Sequence, residues 1–202
     1  SSGYLTPLKY VGNSLRFRSS NSAYLNRTPT VSSNRTTWTY SYWFKGMNAT
    51  ASVDYWALSA FSDGNNYTSI RHHNGSYIDV LSFNAGSAVS IVKTANLFRD
   101  PAAWNHMVIV FDTSNATQSN RIQIYQNGVR CAIQSGATYP GSGSPTGWIN
   151  AASTINYIGR QSTEYFDGYM TEINMIDGQA LTPSSFGTFN SYGVWQPITY
   201  GG

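Results

Sequence analysis

Charge is scarce in this chain of 202 residues, since charged side chains make up only 10% of it, against about 25% in an ordinary soluble domain. The basic residues form no run and the formal net charge is +3, so we expect no nucleic-acid-binding surface. No apolar run approaches the roughly 18 residues of a membrane-spanning helix, so we expect no membrane insertion. The single cysteine, Cys131, excludes a disulfide framework. We expect it to be a small side chain that is buried or half-buried.

Aromatic residues are abundant instead, at 15% of the chain with 15 Tyr. The stretch TTWTYSYWFKG (36–46) alternates aromatic and smaller side chains, which predicts a half-buried strand. One face of this strand would carry Trp38, Tyr40, Tyr42 and Phe44, and the other would carry Thr37, Thr39, Ser41 and Trp43.

Other segments also indicate strands. Asn74-Gly75 and Asn127-Gly128 separate alternating runs and predict tight hairpins, and WNHMVIVFD (104–112) is apolar enough for a central strand. The Gly, Ser and Pro of residues 135–148 predict a long loop. Thr182 followed by Pro183 predicts the start of a short helical turn. About a dozen short strands with almost no helix predict an all-β, antiparallel two-sheet sandwich with one helical turn near the C-terminus.

Five segments, in this order, resemble a concanavalin A-like, laminin-G-type jelly roll. They are LRF…AYL, WTYSYWFK, WNHMVIVFD, RIQIYQNGV and YIGR…FDGYMTEINMIDGQALTPSSFG. The family has similar strands, written "SFWFK", "WHHVAVTYD", "LYVNG" and "FxGxIDEVRIYNRALS". The resemblance implies a sandwich over residues 14–187, with an N-terminal extension over 1–13. It also implies a C-terminal extension over 188–202, which we expect to continue into a longer chain.

The acids of the last long strand raise the question of catalysis, because a retaining glycosidase needs two carboxyl groups about 5–5.5 Å apart. Asp167, Glu172 and Asp177 follow in steps of five, so neighbours would point to opposite faces of a straight strand. Asp167 and Asp177 would share a face but lie roughly 30 Å apart. We therefore predict no catalytic residue and no enzyme activity. Asp167 and Asp177 are expected in Asp-Gly turns, and Glu172 is expected to bind a basic residue such as Arg160 or the backbone.

The histidines favour packing over metal binding. His72 and His73 are adjacent on a predicted strand and point to opposite faces, so they cannot share a metal ion. His106 lies on the same face as Trp104, and both match the start of the family's "WHH" strand, where packing explains them. Several domains of the resembled family hold calcium at the rim of the sandwich, and Asp63, in the turn Asp63–Asn66, is the candidate ligand here. No cofactor is otherwise expected, and the same turn is equally typical of a plain hairpin.

A glycan site would combine aromatic rings with amide and guanidinium groups near loops. The candidates are Tyr67, Arg71, Tyr77, Tyr139, Trp148 and Tyr165, with Asn65, Asn66 and Asn74 as further polar partners. The alternative is that these side chains fill the core or contact neighbouring proteins.

The segments FRDPAAWNH, NRIQIYQNGV and FDGYMTEINMIDGQALTPSSFG…GVWQP resemble, more narrowly, structural appendage, fibre or decoration proteins of marine tailed bacteriophages. This resemblance implies a virion surface location, partner virion proteins and a homo-oligomer. We expect a lectin-like module that binds host or environmental glycans. The alternatives are a purely structural decoration or fibre protein with protein–protein contacts only and, third, a glycan hydrolase.

Overall fold

The computed structural model describes residues 12–46, 54–73, 76–96, 98, 100–145 and 147–202. Within this part of the chain the regular structure consists of sixteen strands and three 3-10 turns. The strands are β1 (Leu15–Phe17), β2 (Leu25–Arg27), β3 (Thr37–Lys45), β4 (Tyr55–Asp63), β5 (Asn66–His73), β6 (Tyr77–Asn84), β7 (Ser87–Lys93), β8 (Asn105–Asp112), β9 (Ile122–Gln126), β10 (Val129–Arg130), β11 (Ile155–Ile158), β12 (Arg160–Gln161), β13 (Glu164–Tyr165), β14 (Gly168–Asp177), β15 (Gly187–Phe189) and β16 (Trp195–Pro197). The turns are Ser19–Asn21, Gln118–Asn120 and Pro183–Ser185. Among these described residues, no helix is long and apolar enough to cross a membrane.

Two six-stranded sheets form the predicted sandwich. The first sheet has the order β1-β14-β3-β8-β9-β10, and the second has the order β2-β11-β4-β5-β6-β7. Every paired strand is antiparallel to its neighbour, as for β3 with β8 and β5 with β6. Two small hairpins, β12–β13 and β15–β16, lie outside these sheets. The all-β, two-sheet prediction is confirmed.

The local signals read from the sequence mark the hairpins and turns. Asn127 and Gly128 both have positive φ, of 48° and 81°, as a two-residue turn with Asn-Gly requires. Thr182 precedes the 3-10 turn with Pro183 in its first position. The Thr182 hydroxyl bonds the Ser184 hydroxyl at 2.8 Å, however, and not a backbone N–H. The predicted turn at Asn74-Gly75 lies outside the described residues.

The main core lies between the two sheets and is built on the aromatic face of β3. The side chains of Trp38, Tyr40, Tyr42 and Phe44 are all buried there. Trp38 stacks on Phe111 of β8 with ring centroids 4.9 Å apart. The buried hydroxyl of Tyr40 donates to the carbonyl oxygen of Ala57 at 3.3 Å. Cys131 is buried at the edge of this core, where burial raises the pKa of its thiol to about 11.

A second, smaller core lies on the opposite face of the first sheet, under the C-terminal segment 181–200. Phe186, Val108 and Val110 are buried there, and Trp195 of β16 lies beside His106 with ring centroids 6.0 Å apart. The ring of Trp195 also leaves no room for a Cβ on Gly128, because such an atom would lie 2.6 Å from the indole. The C-terminal extension therefore folds back onto the sandwich.

This covering segment corrects one expectation. The strand over 36–46 was predicted to be half-buried, but Thr39, Ser41 and Trp43 are buried on its second face as well. The hydroxyl of Thr39 accepts from the backbone N–H of Leu181 at 2.8 Å and donates to the carbonyl oxygen of Gln179 at 2.7 Å. The polar residues that the alternation assigned to solvent instead anchor the C-terminal segment.

A β-bulge in β14 corrects a second expectation. Thr171 pairs with Trp43 and Asn174 pairs with Ser41, so β14 has one extra residue at this point, and Glu172 adopts a left-handed φ of 48°. The extra residue reverses the alternation of faces, which puts Met170 and Met175 on the same face five residues apart. The straight-strand argument that Asp167 and Asp177 share a face is therefore wrong, although they remain at opposite ends of β14.

The hydrogen bonds of His106 define its protonation state. Its Nδ1 lies 2.9 Å from the indole nitrogen of Trp195, which can only donate. Nδ1 must therefore accept, and Nε2, which lies 2.9 Å from the Ser41 hydroxyl, carries the proton. Burial lowers the pKa of His106 to about 3, which agrees with a neutral ring.

Trp195→Ala should lower the free energy of unfolding by about 2–4 kcal/mol, because it removes apolar contact and leaves Nδ1 of His106 unpaired. Urea denaturation would measure this. Tyr192→Ala in the same segment is the matched control, because Tyr192 is 89% exposed, and it should change stability by less than about 0.5 kcal/mol. Equal stabilities of the two variants would contradict the role of Trp195.

Stability should fall as the pH drops below about 6.5. Burial lowers the pKa of both His72 and His106 to about 3 in the folded chain. The unfolded chain therefore binds more protons between these values, and each histidine costs up to about 1.4 kcal/mol per pH unit. In the variant His106→Gln, the amide can accept from Trp195 and donate to Ser41. This variant should lose the part of the pH dependence of the unfolding free energy that His106 contributes. An unfolding free energy that stays constant between about pH 7 and 5 would contradict this.

Candidate functional site

The two sheets present very different outer faces, meaning the faces directed away from the main core. The middle of the outer face of the first sheet is covered by the C-terminal segment 181–200. On the outer face of the second sheet, Trp56 and Asp79 are buried, whereas several other aromatic and charged side chains are half-buried, namely Phe61, Tyr67, Arg71, Tyr77 and Phe83. The sequence candidates Tyr67, Arg71 and Tyr77 all lie on this second face, in register with Phe83, Asp79 and His73. We therefore take the outer face of the second sheet as the candidate site.

A row of three rings crosses this face near the β4–β5 turn. Phe61, Tyr67 and Phe83 are cross-strand neighbours on β4, β5 and β6. Tyr67 stacks on Phe83 with centroids 5.0 Å apart and planes at 20°, and Phe61 lies 6.4 Å from Tyr67. Burial raises the pKa of the Tyr67 phenol. We call Phe61, Tyr67 and Phe83 the aromatic row.

The turn beside the aromatic row holds the predicted polar partners Asn65 and Asn66. The Asn66 side-chain amide donates to both carboxylate oxygens of Asp63 at 3.1 Å, and the Asn65 backbone N–H donates to one of them at 2.8 Å. These bonds hold the pKa of Asp63 below its ordinary value. The described residues contain no group of three or more His, Cys, Asp or Glu side chains placed to hold a metal ion. Calcium at Asp63 therefore stays a prediction.

Arg71 occupies the middle of the face and is engaged by two carboxylates. Its Nε and Nη2 donate to the two oxygens of Asp79 at 3.0 and 2.6 Å, and its Nη1 donates to Asp54 at 2.7 Å. Burial alone would lower the pKa of Arg71. The hydrogen bonds and charges of Asp79 and then of Asp54 together have the larger effect, and they raise this pKa above its ordinary value. Trp56 lies 5.5 Å from the guanidinium. The structure thus uses Arg71 to neutralise two acids that are far apart in sequence.

Tyr77 lies beside this ion-pair cluster at the other end of β6. Its ring stacks on His73 with centroids 4.7 Å apart, and the ammonium of Lys93 lies 5.7 Å from its centroid. His73 in turn contacts Asp54 at 2.9 Å. Tyr77 remains half-buried at the surface and stays a ligand candidate.

Two other sequence candidates lie away from this face. Tyr139 and Trp148 pack against the main core from the long loop. The indole of Trp148 donates to the carbonyl oxygen of Phe83 at 2.9 Å, and Arg35 lies 5.7 Å from its ring. Both rings close one end of the sandwich. Asn74 lies outside the described residues.

The last candidate, Tyr165, belongs to a group that the sequence did not bring together. Arg160 lies 4.6, 5.0 and 5.5 Å from the ring centroids of Tyr24, Tyr157 and Tyr165, respectively. We call these four residues the Arg160 cluster. The β12–β13 hairpin, which turns at Ser162 with a φ of 52°, brings Arg160 and Tyr165 together. The sequence suggests Arg160 as a partner of Glu172, but its guanidinium contacts the tyrosines.

Four of the residues predicted to be structural form contacts within the chain, namely Asp167, Asp177, Trp104 and His106. Asp177 accepts from the backbone of Asn34 and the side chain of Asn150, both at 3.0 Å. Asp167 forms an ion pair with Arg16 at 3.1 Å. Trp104 packs under Lys45, whose ammonium lies 5.0 Å from its ring, while His106 is buried in the second core.

Arg71→Gln should lower the free energy of unfolding by about 3–5 kcal/mol, because it leaves the buried carboxylate of Asp79 without its partner. The double variant Arg71→Gln/Asp79→Asn should recover part of that loss. Urea denaturation would measure both, with Arg130→Gln on the exposed strand β10 as the control for the loss of one positive charge. A double variant less stable than Arg71→Gln would contradict the pairing.

Comparison with known proteins identifies the fold. The family model described as the concanavalin A-like lectin/glucanases superfamily, a laminin G model, matches residues 18–185. No curated protein sequence matches the chain.

Several solved structures are similar in fold. A SAP-like pentraxin from Limulus polyphemus is 17% identical, with a TM-score of 0.53 over 79% of this chain and 71% of that one. The CBM40 domain of the Ruminococcus gnavus IT-sialidase, bound to α2,3-sialyllactose, is 10% identical, with a TM-score of 0.51 over 79% of this chain and 95% of that one. Domains LG4-5 of the mouse laminin α1 chain are 12% identical, with a TM-score of 0.51 over 94% of this chain and 46% of that one. At these identities the likeness shows the fold alone, whereas the family model covers most of the chain. The chain therefore belongs to the concanavalin A-like lectin/glucanase superfamily.

Proposed function

We propose that this chain is a non-enzymatic, lectin-like module that binds a glycan on the outer face of the second sheet. The observation that carries the proposal is the difference between the two outer faces. The chain covers the outer face of its first sheet with its own C-terminal segment, whereas half-buried rings lie across the second. Aromatic rings combined with a few polar groups are the usual lining of small-ligand sites.

The similar structures support a carbohydrate ligand. The Ruminococcus gnavus domain has sialyllactose bound to it, and the family model is that of lectins and glucanases. These likenesses favour a glycan over other small ligands without indicating which sugar it is.

The environments of the acids favour binding over hydrolysis. A retaining glycosidase needs one carboxylate as nucleophile and one carboxylic acid as proton donor. The closest arrangement on this face is Asp54 with Asp79, and both bind Arg71. Burial raises the pKa of Asp79, but both of its oxygens accept from that guanidinium, so neither is free to protonate a glycosidic oxygen.

The proposed location is the surface of a tailed-phage virion, where the module would form a homo-oligomer and contact other virion proteins. The support is the resemblance of segments such as FRDPAAWNH and GVWQP to marine phage structural proteins. The low charge and the abundance of Tyr, Ser, Thr and Asn agree with a protein surface outside the cell.

A second candidate function is assembly through protein contacts only, and one feature favours it. A cleft of about 410 Å³ lies between the two sheets at the edges formed by β1 and β2. Leu15 and Leu25, which line it, are 48% and 46% exposed. Exposed apolar side chains beside a cleft are typical of protein interfaces.

A glycan array probed with the purified chain should show binding, and Tyr67→Ala should weaken binding by about tenfold because it interrupts the aromatic row. Tyr192→Ala, which changes an exposed ring outside this face, should bind as the unmodified chain does. Parallel arrays with calcium chloride and with EDTA test Asp63 as a calcium ligand.

Three outcomes would count against the proposal. Silence on the array would remove the lectin function and leave assembly through protein contacts. Equal binding by the two tyrosine variants would exclude the aromatic row. Release of reducing sugar from a bound glycan would overturn the non-enzymatic assignment.

A further inference from the structure

Arg160 is held in place with its terminal nitrogens unused. Its Nε donates to the carbonyl oxygen of Ser162 at 2.8 Å, and three tyrosine rings lie within 5.5 Å of its Cζ. No acceptor lies within hydrogen-bond distance of Nη1 or Nη2 among the residues that the structure describes. A half-buried guanidinium normally has a carboxylate, phosphate or carbonyl partner.

Arg71 lies on the same face and, unlike Arg160, uses its terminal nitrogens. Three nitrogens of Arg71 donate to Asp79 and Asp54, so its charge is compensated within the chain. Glu164 is the acid in the hairpin that carries Arg160, and it accepts from the indole of Trp56 at 2.6 Å. Arg160 forms no ion pair within the described part of the chain.

The three tyrosines add further unused groups. The hydroxyls of Tyr24, Tyr157 and Tyr165 have no hydrogen-bond partner among the described residues. Tyr24 meets Tyr157 edge to face with centroids 5.7 Å apart, and it lies 6.2 Å from Tyr165. The rings therefore brace one another around the guanidinium. The cluster thus holds five polar groups, two terminal nitrogens and three hydroxyls, that have no hydrogen-bond partner in the described part of the chain.

The Arg160 cluster borders two buried serines, Ser59 and Ser69, at the centre of the second sheet's outer face. Tyr157 pairs with Ser59, and Ser59 pairs with Ser69 on the next strand. The hydroxyl of Ser59 donates to the backbone carbonyl of Arg160 at 2.7 Å, which ties the hairpin to the sheet. Along β4, Phe61 of the aromatic row is two residues beyond Ser59. A chain of sugar residues could reach both the cluster and the row, since strands lie about 4.8 Å apart and two residues span about 7 Å.

We propose that the Arg160 cluster binds the carboxylate of an acidic sugar residue, such as a uronic acid or a sialic acid. The fork of Nη1 and Nη2 matches the planar carboxylate, and the tyrosine hydroxyls bind the sugar hydroxyls. This inference rests on the proposed glycan binding and adds the charge of the ligand and the residue that recognises it.

The test compares acidic and neutral saccharides by isothermal titration calorimetry. The probes are trigalacturonic acid against its methyl ester, and 3′-sialyllactose against lactose. The unmodified chain should bind at least one acid more tightly than its neutral counterpart by about tenfold or more. Arg160→Gln should abolish the difference, and Arg160→Lys should retain part of it because an ammonium keeps the charge without the fork.

Controls separate local from general effects. Arg130→Gln removes one positive charge at the edge of the other sheet and should bind as the unmodified chain does. Tyr157→Phe removes a single hydroxyl and should weaken the binding of the acidic saccharide and of its neutral counterpart to the same extent. If Arg160→Gln fails to fold, as judged by near-ultraviolet circular dichroism, Arg160→Lys and the methyl ester comparison decide the question.

The outcomes distinguish this inference from the proposed function. Equal binding of acidic and neutral saccharides, or an acid preference that survives Arg160→Gln, would overturn the Arg160 assignment and leave glycan binding in place. Absence of binding to any array glycan or to these probes would overturn both.

Discussion

The indole N–H of Trp195 donates to Nδ1 of His106, whose Nε2–H reaches the hydroxyl of Ser41. This short chain of hydrogen bonds requires a neutral imidazole. The ring is buried, and Trp43 stacks on it with centroids 4.9 Å apart. The chain of hydrogen bonds fixes the C-terminal segment on the first sheet, where Phe186 closes over Val108 and Val110. The middle of the first sheet is consequently buried on both faces, and the hydroxyls of Thr39 and Ser41 on its outer face bond within the chain.

The asymmetry that follows leaves the second sheet as the face for recognition. Its charges divide into two kinds. Arg71 compensates Asp54 and Asp79 and so stabilises the sheet, whereas Arg160 is braced by tyrosines and has unused donors. A guanidinium that is already ordered loses little conformational entropy when a ligand binds, which favours affinity. The same face thus has an arginine at its centre whose charge is compensated by two acids, and an arginine at its border whose terminal nitrogens have no hydrogen-bond partner among the described residues.

Much of the fold could be predicted from the sequence, because period-two alternation and Asn-Gly turns are local signals. The aromatic face of β3, the central β8 and the 3-10 turn after Thr182 all agree with the structure. The burial of Thr39 could not be predicted, since it depends on residues about 140 positions away. The bulge at Glu172 could not be predicted either, because it is defined by the pairing of β14 with β3.

The candidate site was predicted in part. Tyr67, Arg71 and Tyr77 were selected as loop-proximal rings and polar groups, and the register of β5 with β6 brings them to one face. The Arg160 cluster draws on Tyr24 just before β2, on β11 and on the β12–β13 hairpin, so no spacing in the sequence could reveal it. The most direct test of the account maps backbone amide shifts by NMR while a bound oligosaccharide is titrated. The account predicts shifts in β4, β5, β11 and residues 160–165, and shifts confined to β8 and the C-terminal segment would contradict it.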